Sequence, residues 1–438
     1  MPAEHNRIGF WTCTALVMGN MIGSGIFLLP AALAFYGGIS VLGWLFTAAG
    51  ATLIALVFAR MSRIVPKAGG PYAYTRRGFG DFAGFLVGWG YWISIMCGNA
   101  AIAVALVSYL TVFFPALATD RLLAGGTAIA VLWLLSWVNS LGVKRAGYVA
   151  VVTTVLKLLP LIAIGTLGLL YFNADHFSPF NMSDESNFSA ITASAALTLW
   201  AFMGLESATI PTGDIENPEK IIPRATVLGT VAAAVIYILS TVAVMGVVAP
   251  AVLSESMAPF ADAAAAIWGN WAGKAVAIGA VISCFGALNG WILNQGQIPL
   301  AAARDGLFPK AFGQVTKNGA PVFGIVVSSI LVSILISTNY TRGLVELFTF
   351  AILLSTLTAL VPYAFTTMAE LMVFINERER FSGERLFGAS IIAGLAFVYS
   401  LWAIGGAGEE IVFWGFLLLL SGLPVYVGVR WSQQRSQS

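Results

Sequence analysis

Residues 19–27, Gly-Asn-Met-Ile-Gly-Ser-Gly-Ile-Phe, set Gly23 and Gly25 on either side of Ser24, within an apolar stretch long enough to cross a bilayer. Glycine weakens a helix by roughly 1 kcal/mol against alanine, and main chain freed at membrane depth is tolerated only where it lines a cavity or is buried in protein. A second apolar stretch carries Trp200-Ala-Phe-Met-Gly-Leu-Glu-Ser207, a glycine beside a carboxylate at similar depth. Such breaks can bind a small zwitterion. The N–H groups of Ser24 and Gly25 suit a carboxylate, because a half-helix N-terminus is partly positive; carbonyls near Met21, Trp200 and Met203 suit an ammonium. Small residues at this spacing also serve close helix packing in lipid. The paired break favours a site, since two interrupted spans in corresponding halves mark a secondary transporter with its substrate at the midplane. A phosphate-binding loop is excluded by the missing Gly-Lys-Ser/Thr ending.

Glu206 is the one carboxylate that falls deep within an apolar stretch, where a charge costs about 3 kcal/mol. It is expected to titrate or to be paired; the alternative is a neutral acid bonded to a neighbouring helix. Cys13, Cys97 and Cys284 all lie in apolar stretches and read as small packing residues rather than a disulfide framework. His5 and His176 have no cysteine or carboxylate at ligand spacing. No metal and no cofactor is expected.

These residues must be held by membrane helices. The chain of 438 residues is 58% hydrophobic and only 10% charged, with a mean hydropathy of +0.87, far more apolar than a soluble domain. Windows of about 20 residues predict twelve spans. They fall near 8–35, 40–63, 82–115, 122–141, 147–172, 190–213, 223–248, 273–302, 321–338, 343–369, 386–405 and 409–429. The expected fold is an all-α membrane protein in which spans one to five and six to ten form a 5+5 inverted repeat, LeuT-like, with helices 1 and 6 broken. An odd number of spans per repeat reverses the second half across the membrane, so two half-helix ends face one cavity. The transport core is then 1–369, with repeats at 1–172 and 190–369; two more spans occupy 386–429 and a cytoplasmic tail 430–438, its last residues disordered. Connections around 64–81, 173–189 and 303–320 read as loops. The first span is too long for a signal-peptide core and no small-residue cleavage site follows it, so it is expected to stay in the mature chain.

The net charge of +2 says little, but its distribution does. With the N-terminus inside, eighteen basic residues face the cytoplasm, from Arg7 through the Arg60–Arg77 region to Arg430 and Arg435. Only Arg121, Lys274 and Arg342 lie opposite, and Lys157 falls within a span. The positive-inside rule then puts both termini in the cytoplasm. Charges spread over seven tails and loops do not make a nucleic-acid patch.

Four separated segments carry a family resemblance: Gly19-Asn-Met-Ile-Gly-Ser-Gly-Ile-Phe-Leu-Leu-Pro30, Gly69-Gly-Pro-Tyr-Ala-Tyr-Thr-Arg-Arg77, Trp200–Ser207 and Asp305-Gly-Leu-Phe-Pro309. Over essentially the whole chain, the sequence resembles the amino acid–polyamine–organocation superfamily, nearest the bacterial arginine/agmatine and lysine/cadaverine antiporters. The resemblance implies that Glu206 senses protons and joins Tyr91 and Tyr363 in an inner gate. It implies that Trp291 stacks on the cationic end of the substrate, a contact worth about 0.5–2 kcal/mol, with Asn99 and Ser355 near that end. It also implies that Trp200 packs over the substrate and moves during the cycle.

Lys157 departs from those antiporters, which have an apolar residue there. It lies about ten residues into span five, about 15 Å along the helix, where snorkelling is difficult. Other superfamily members place a lysine here in the stead of a sodium ion; its partners would be a carbonyl near Gly19 and the Ser283 hydroxyl. A buried lysine can exchange a proton near neutral pH, or it can be a permanent brace between helices. Ser94 also replaces an apolar pocket residue, and Asn289, Asn294 and Gln295 add amides around Trp291.

The expected function is secondary active transport of amino acids by alternating access in the bacterial inner membrane, as an antiporter exchanging a cationic amino acid or polyamine. The alternative is a proton-coupled permease for neutral amino acids, motivated by Lys157 and the added amides. A channel is disfavoured by the lack of acidic or carbonyl-filter repeats. An enzyme is disfavoured by the lack of a nucleophile–base pair, and a binding-only receptor stays open. The partners expected are a small amino acid or amine, the proton and the bilayer, with no nucleic acid; the resemblance raises a homodimer, which the last two spans leave undecided.

Overall fold

The computed structural model describes residues 9–23, 25–65, 69–141, 158–207, 215–377 and 384–435. The described residues are helices joined by short connections, with no strand element among them. In chain order the first are α1 (Phe10–Met21), α2 (Gly25–Ala34), α3 (Ser40–Ile64), α4 (Pro71–Phe79), α5 (Asp81–Leu110) and α6 (Arg121–Ser140). Then come α7 (Leu158–Tyr171), α8 (Asn187–Leu199), α9 (Pro218–Val247), α10 (Pro259–Trp268) and α11 (Asn270–Arg304). The last are α12 (Val322–Asn339), α13 (Leu344–Asn376), α14 (Glu384–Gly405), α15 (Glu409–Leu420) and α16 (Gly422–Arg435). Among the described residues nine helical stretches are long and apolar enough to cross a membrane, and the pair α1 and α2, bent by 43°, makes a tenth. This is a multi-pass membrane protein.

Local chemistry explains many of the ends. Pro71, Pro218 and Pro259 open α4, α9 and α10, where a missing N–H costs nothing. Asp120 and Ser186 cap α6 and α8 by accepting from the amides of Leu123 and Ser189, which satisfies a donor the helix itself cannot. The innermost elements are α5 and α13. They are tied by a reciprocal pair, Ser94 Oγ donating to the Ser355 carbonyl at 2.8 Å and Ser355 Oγ to that of Ser94 at 2.7 Å. In a medium without water, such internal partners satisfy groups that nothing else would.

Three boundaries differ from the sequence reading. The tenth span does not stop at 369: α13 runs on to Asn376, because Glu370, fully buried, is neutralised by Arg60 of α3 at 2.5 Å and 2.8 Å. Glu206 is therefore not alone as a buried carboxylate. The 64–81 connection contains α4, held where Tyr72 Oη donates to Asp305 at 2.5 Å and Arg76 bridges Asp81 and Asp305, both at 2.9 Å. Burial and the Asp305 carboxylate push the Tyr72 phenol up, so it stays a donor. The tail is helical to Arg435, with Gln433 donating to the Gly306 carbonyl. Thus two of the resemblance-bearing segments, Gly69–Arg77 and Asp305–Pro309, meet in one polar cluster.

Candidate functional site

Both glycine-bearing stretches are interrupted. At the first, α1 ends at Met21, Ile22 donates to the Met18 carbonyl at 2.7 Å and Gly23 to that of Met21 at 2.8 Å, and α2 begins afresh at Gly25. Ser24 lies outside the described residues. At the second, α8 tightens into a 3₁₀ turn over Trp200–Phe202, Met203 is extended, and Gly204 takes φ of +101°. The opening turn of α2 thus offers amide donors that have no partner within that helix.

The two breaks touch. A Cβ added to Gly204 would lie 3.2 Å from both the carbonyl carbon and oxygen of Asn20, and one on Gly23 would lie 3.3 Å from Cβ of Ala287 in α11. Gly204 is required twice, for its left-handed φ and for this approach. Alanine there pays roughly 1–2 kcal/mol for the backbone alone, so Gly204→Ala is expected to lower the melting temperature of the purified protein; an unchanged melting curve would count against this packing.

Between the breaks lies a cavity of about 30 Å³, lined by Met21, Gly23, Gly25, Ser94, Trp200, Met203, Trp291 and Ser355 from the sequence reading. Asn20, Ile95, Gly98 and Ile102 also line it, and the sequence reading missed them. Its size leaves room for a water or two, not an amine of several carbons. The indole of Trp200 takes up the rest: Cβ atoms added at Gly25 and Gly98 would fall 2.5 Å and 2.7 Å from ring atoms. The ring is clasped between two glycines, one on each side.

Asn99 does not line the cavity. Ser94, Ile95, Gly98 and Ile102 recur at helical spacing and form the cavity face of α5; Asn99, fully buried, lies one residue round the helix. Its amide donates to Gln295 Oε1 at 2.6 Å, and Gln295 in turn donates to Ser329 Oγ at 3.0 Å. Asn289 accepts from Asn139 at 2.8 Å. Gln295 and Asn289 thus tie α11 to α12 and α6, while the buried Oδ1 of Asn99 has no partner among the described residues.

Next to the cavity sits a buried acid. Glu206, fully buried, accepts from the hydroxyl of Tyr91 on α5 and from that of Tyr363 on α13 at 2.8 Å. Tyr363 Oη also lies 3.7 Å from Sδ of Met203, a cavity wall residue. A continuous set of contacts thus links the carboxylate to the cavity. Ser283 is fully buried, and its hydroxyl has no partner among the described residues; Lys157 lies outside them. Among the described residues no cluster of His, Cys, Asp or Glu is arranged to hold a metal.

Broken helices around a small enclosed cavity with a buried carboxylate define a membrane carrier of small solutes. The amino acid permease family matches residues 8–423, and the chain belongs to it, within the amino acid–polyamine–organocation superfamily. It is similar to the cadaverine/lysine antiporter of Escherichia coli (strain K12), with 40% identity over 325 residues, 74% of this chain and 73% of that protein. It is also similar to the putrescine transporter PotE of Haemophilus influenzae, with 34% identity over 427 residues, 97% of this chain and 98% of the relative. PotE of Escherichia coli (strain K12) is 34% identical over 425 residues, covering 97% and 96%. The protein is an amino acid or polyamine transporter, not an enzyme.

Proposed function

We propose that the protein is a secondary active antiporter that exchanges a cationic amino acid for a diamine by alternating access. The observation that carries this reading is the cavity where the two breaks meet, walled by Trp200 and Trp291, with no charged side chain among the described residues of its lining and Glu206 linked to it through Tyr363 and Met203. Aromatic faces attract an ammonium without placing a counter-charge in the membrane. The relatives named for lysine, cadaverine and putrescine favour an aliphatic amine; the arginine/agmatine pair is the other member of this substrate class. In this reading twelve spans form the 5+5 inverted repeat plus two, both termini are cytoplasmic, and the setting is the bacterial inner membrane. Main chain at Met21, Gly23, Ser24 and Gly25 takes the α-amino acid end, Ser94 and Ser355 fix the wall opposite, and Tyr91, Glu206 and Tyr363 form the proton-coupled gate.

Counterflow in proteoliposomes tests the exchange. Uptake of labelled lysine, arginine, ornithine, cadaverine, putrescine or agmatine is expected only with a member of the set inside; silence for all six would remove the proposal. Trp291→Leu should raise the apparent Kd for the cationic substrate about tenfold, as loss of a cation–π contact of 0.5–2 kcal/mol implies. An unchanged Kd would take Trp291 out of the site.

A second reading, a proton-coupled permease for neutral amino acids, is favoured by one observation. The buried Ser283 hydroxyl, without a partner among the described residues, is the group that would face the Lys157 ammonium. It requires uptake driven by an imposed pH gradient without internal substrate, and abolition of that coupling in Lys157→Ala.

A further inference from the structure

A groove of about 620 Å³ opens between the start of α1, the end of α3 and the start of α9, away from the substrate cavity. Its walls are apolar, from Phe10, Leu56, Ala59, Val227, Leu228 and Val231, and its mouth carries Arg60, Arg63 and Arg224. The three cations are not equivalent. Arg60 is held by Glu370, and Arg63 donates Nε to the main-chain carbonyl of Glu219, not to its carboxylate. Arg224 is exposed and makes no hydrogen bond or ion pair among the described residues. Among the described residues, only the charge of Arg60 is met by a carboxylate.

We propose that this groove is a binding site for an anionic phospholipid, with its phosphate on Arg63 and Arg224 and an acyl chain along Val227, Leu228 and Val231. The charge and the walls together select this occupant. A phosphodiester needs cationic donors at the interface, its chains need an apolar surface that continues into the hydrocarbon, and basic pockets between spanning helices supply both. A soluble anion would gain nothing from the apolar floor, and a zwitterionic lipid would bring an ammonium against uncompensated arginines. Phe10 is the first residue of α1, the helix whose far end forms one wall of the substrate cavity. Occupancy therefore braces the α1 half of the broken span against α3 and α9, and exchange depends on anionic lipid.

The test measures retained lipid and flux separately. Wild-type protein purified from mixed phosphatidylethanolamine and phosphatidylglycerol vesicles should keep phosphatidylglycerol through delipidation. The Arg63→Gln, Arg224→Gln double variant should retain at least fivefold less, and Val227→Trp, which fills the apolar floor and leaves the charges, should do the same. A control with Lys310→Gln and Lys317→Gln, removing two charges elsewhere on the same face, should retain as much as wild type. Millimolar inorganic phosphate should not displace the lipid. Flux in phosphatidylglycerol-containing vesicles should exceed that in phosphatidylethanolamine vesicles several-fold for wild type and be indifferent to lipid in both groove variants. Equal retention by wild type and the groove variants, equal loss in the control, or displacement by free phosphate would each overturn the proposal.

Discussion

Glu206→Gln is expected to reduce exchange at least 100-fold while leaving the protein folded and monodisperse. Glutamine has the size of glutamate; its amide oxygen can accept from one of the two tyrosine hydroxyls that now donate to separate carboxylate oxygens, and its NH2 can donate to the other, so the junction of α5, α13 and the second break keeps its shape. What it loses is the capacity to carry charge or take a proton. At mid-membrane the charge state of a carboxylate is worth about 3 kcal/mol, or about two decades of rate. The same variant should flatten the pH profile of whatever flux remains. Proteoliposome exchange measured at several pH values checks both; wild-type rates with a wild-type profile would make Glu206 a structural acid only.

The second large effect is expected at Gly98. A methyl group there would sit 2.7 Å from Cη2 of Trp200. That is closer than Cβ contacts allow in a packed interior, where even one methylene is felt. The indole cannot retreat toward α2, because its other edge lies so close to the Gly25 main chain that a Cβ built there would fall 2.5 Å from the ring. Gly98→Ala should therefore weaken substrate binding by at least tenfold, the roughly 1–3 kcal/mol of an overpacked site. Trp200→Phe in the same chain should restore part of it by shortening the ring. Equilibrium binding of a labelled diamine to wild type, the single variant and the pair decides this; a neutral Gly98→Ala, or no recovery in the pair, would show that Trp200 does not form the wall that admits substrate.

The helical pattern and both interruptions were legible in the residues because their signals are local. A glycine pair inside an apolar run, or a glycine two residues before a carboxylate, needs no partner to be read. The Glu206 contacts with Tyr91 and Tyr363 were accessible only through the family resemblance, since more than a hundred residues separate the acid from either hydroxyl. Gly98 gave no signal among 46 glycines, as its meaning comes from the indole it faces. Asn99 lies one helical step from the cavity face of α5, enough to aim its NH2 at Gln295, a turn that sequence alone does not resolve. The stop at 369 failed for a related reason: an acid looks like the end of a span until its cation is known, and Arg60 lies 310 residues away.

The two interruptions are expected to hold the solute jointly, and amide hydrogen exchange reads them directly. Peptides covering 19–27 and 199–207 are expected to exchange quickly in the free protein. Both should slow at least about tenfold when a transported amine or amino acid saturates the site, as amides there become substrate donors or are closed off from water. Protection confined to other segments, with both of these peptides unchanged at saturation, would contradict that expectation.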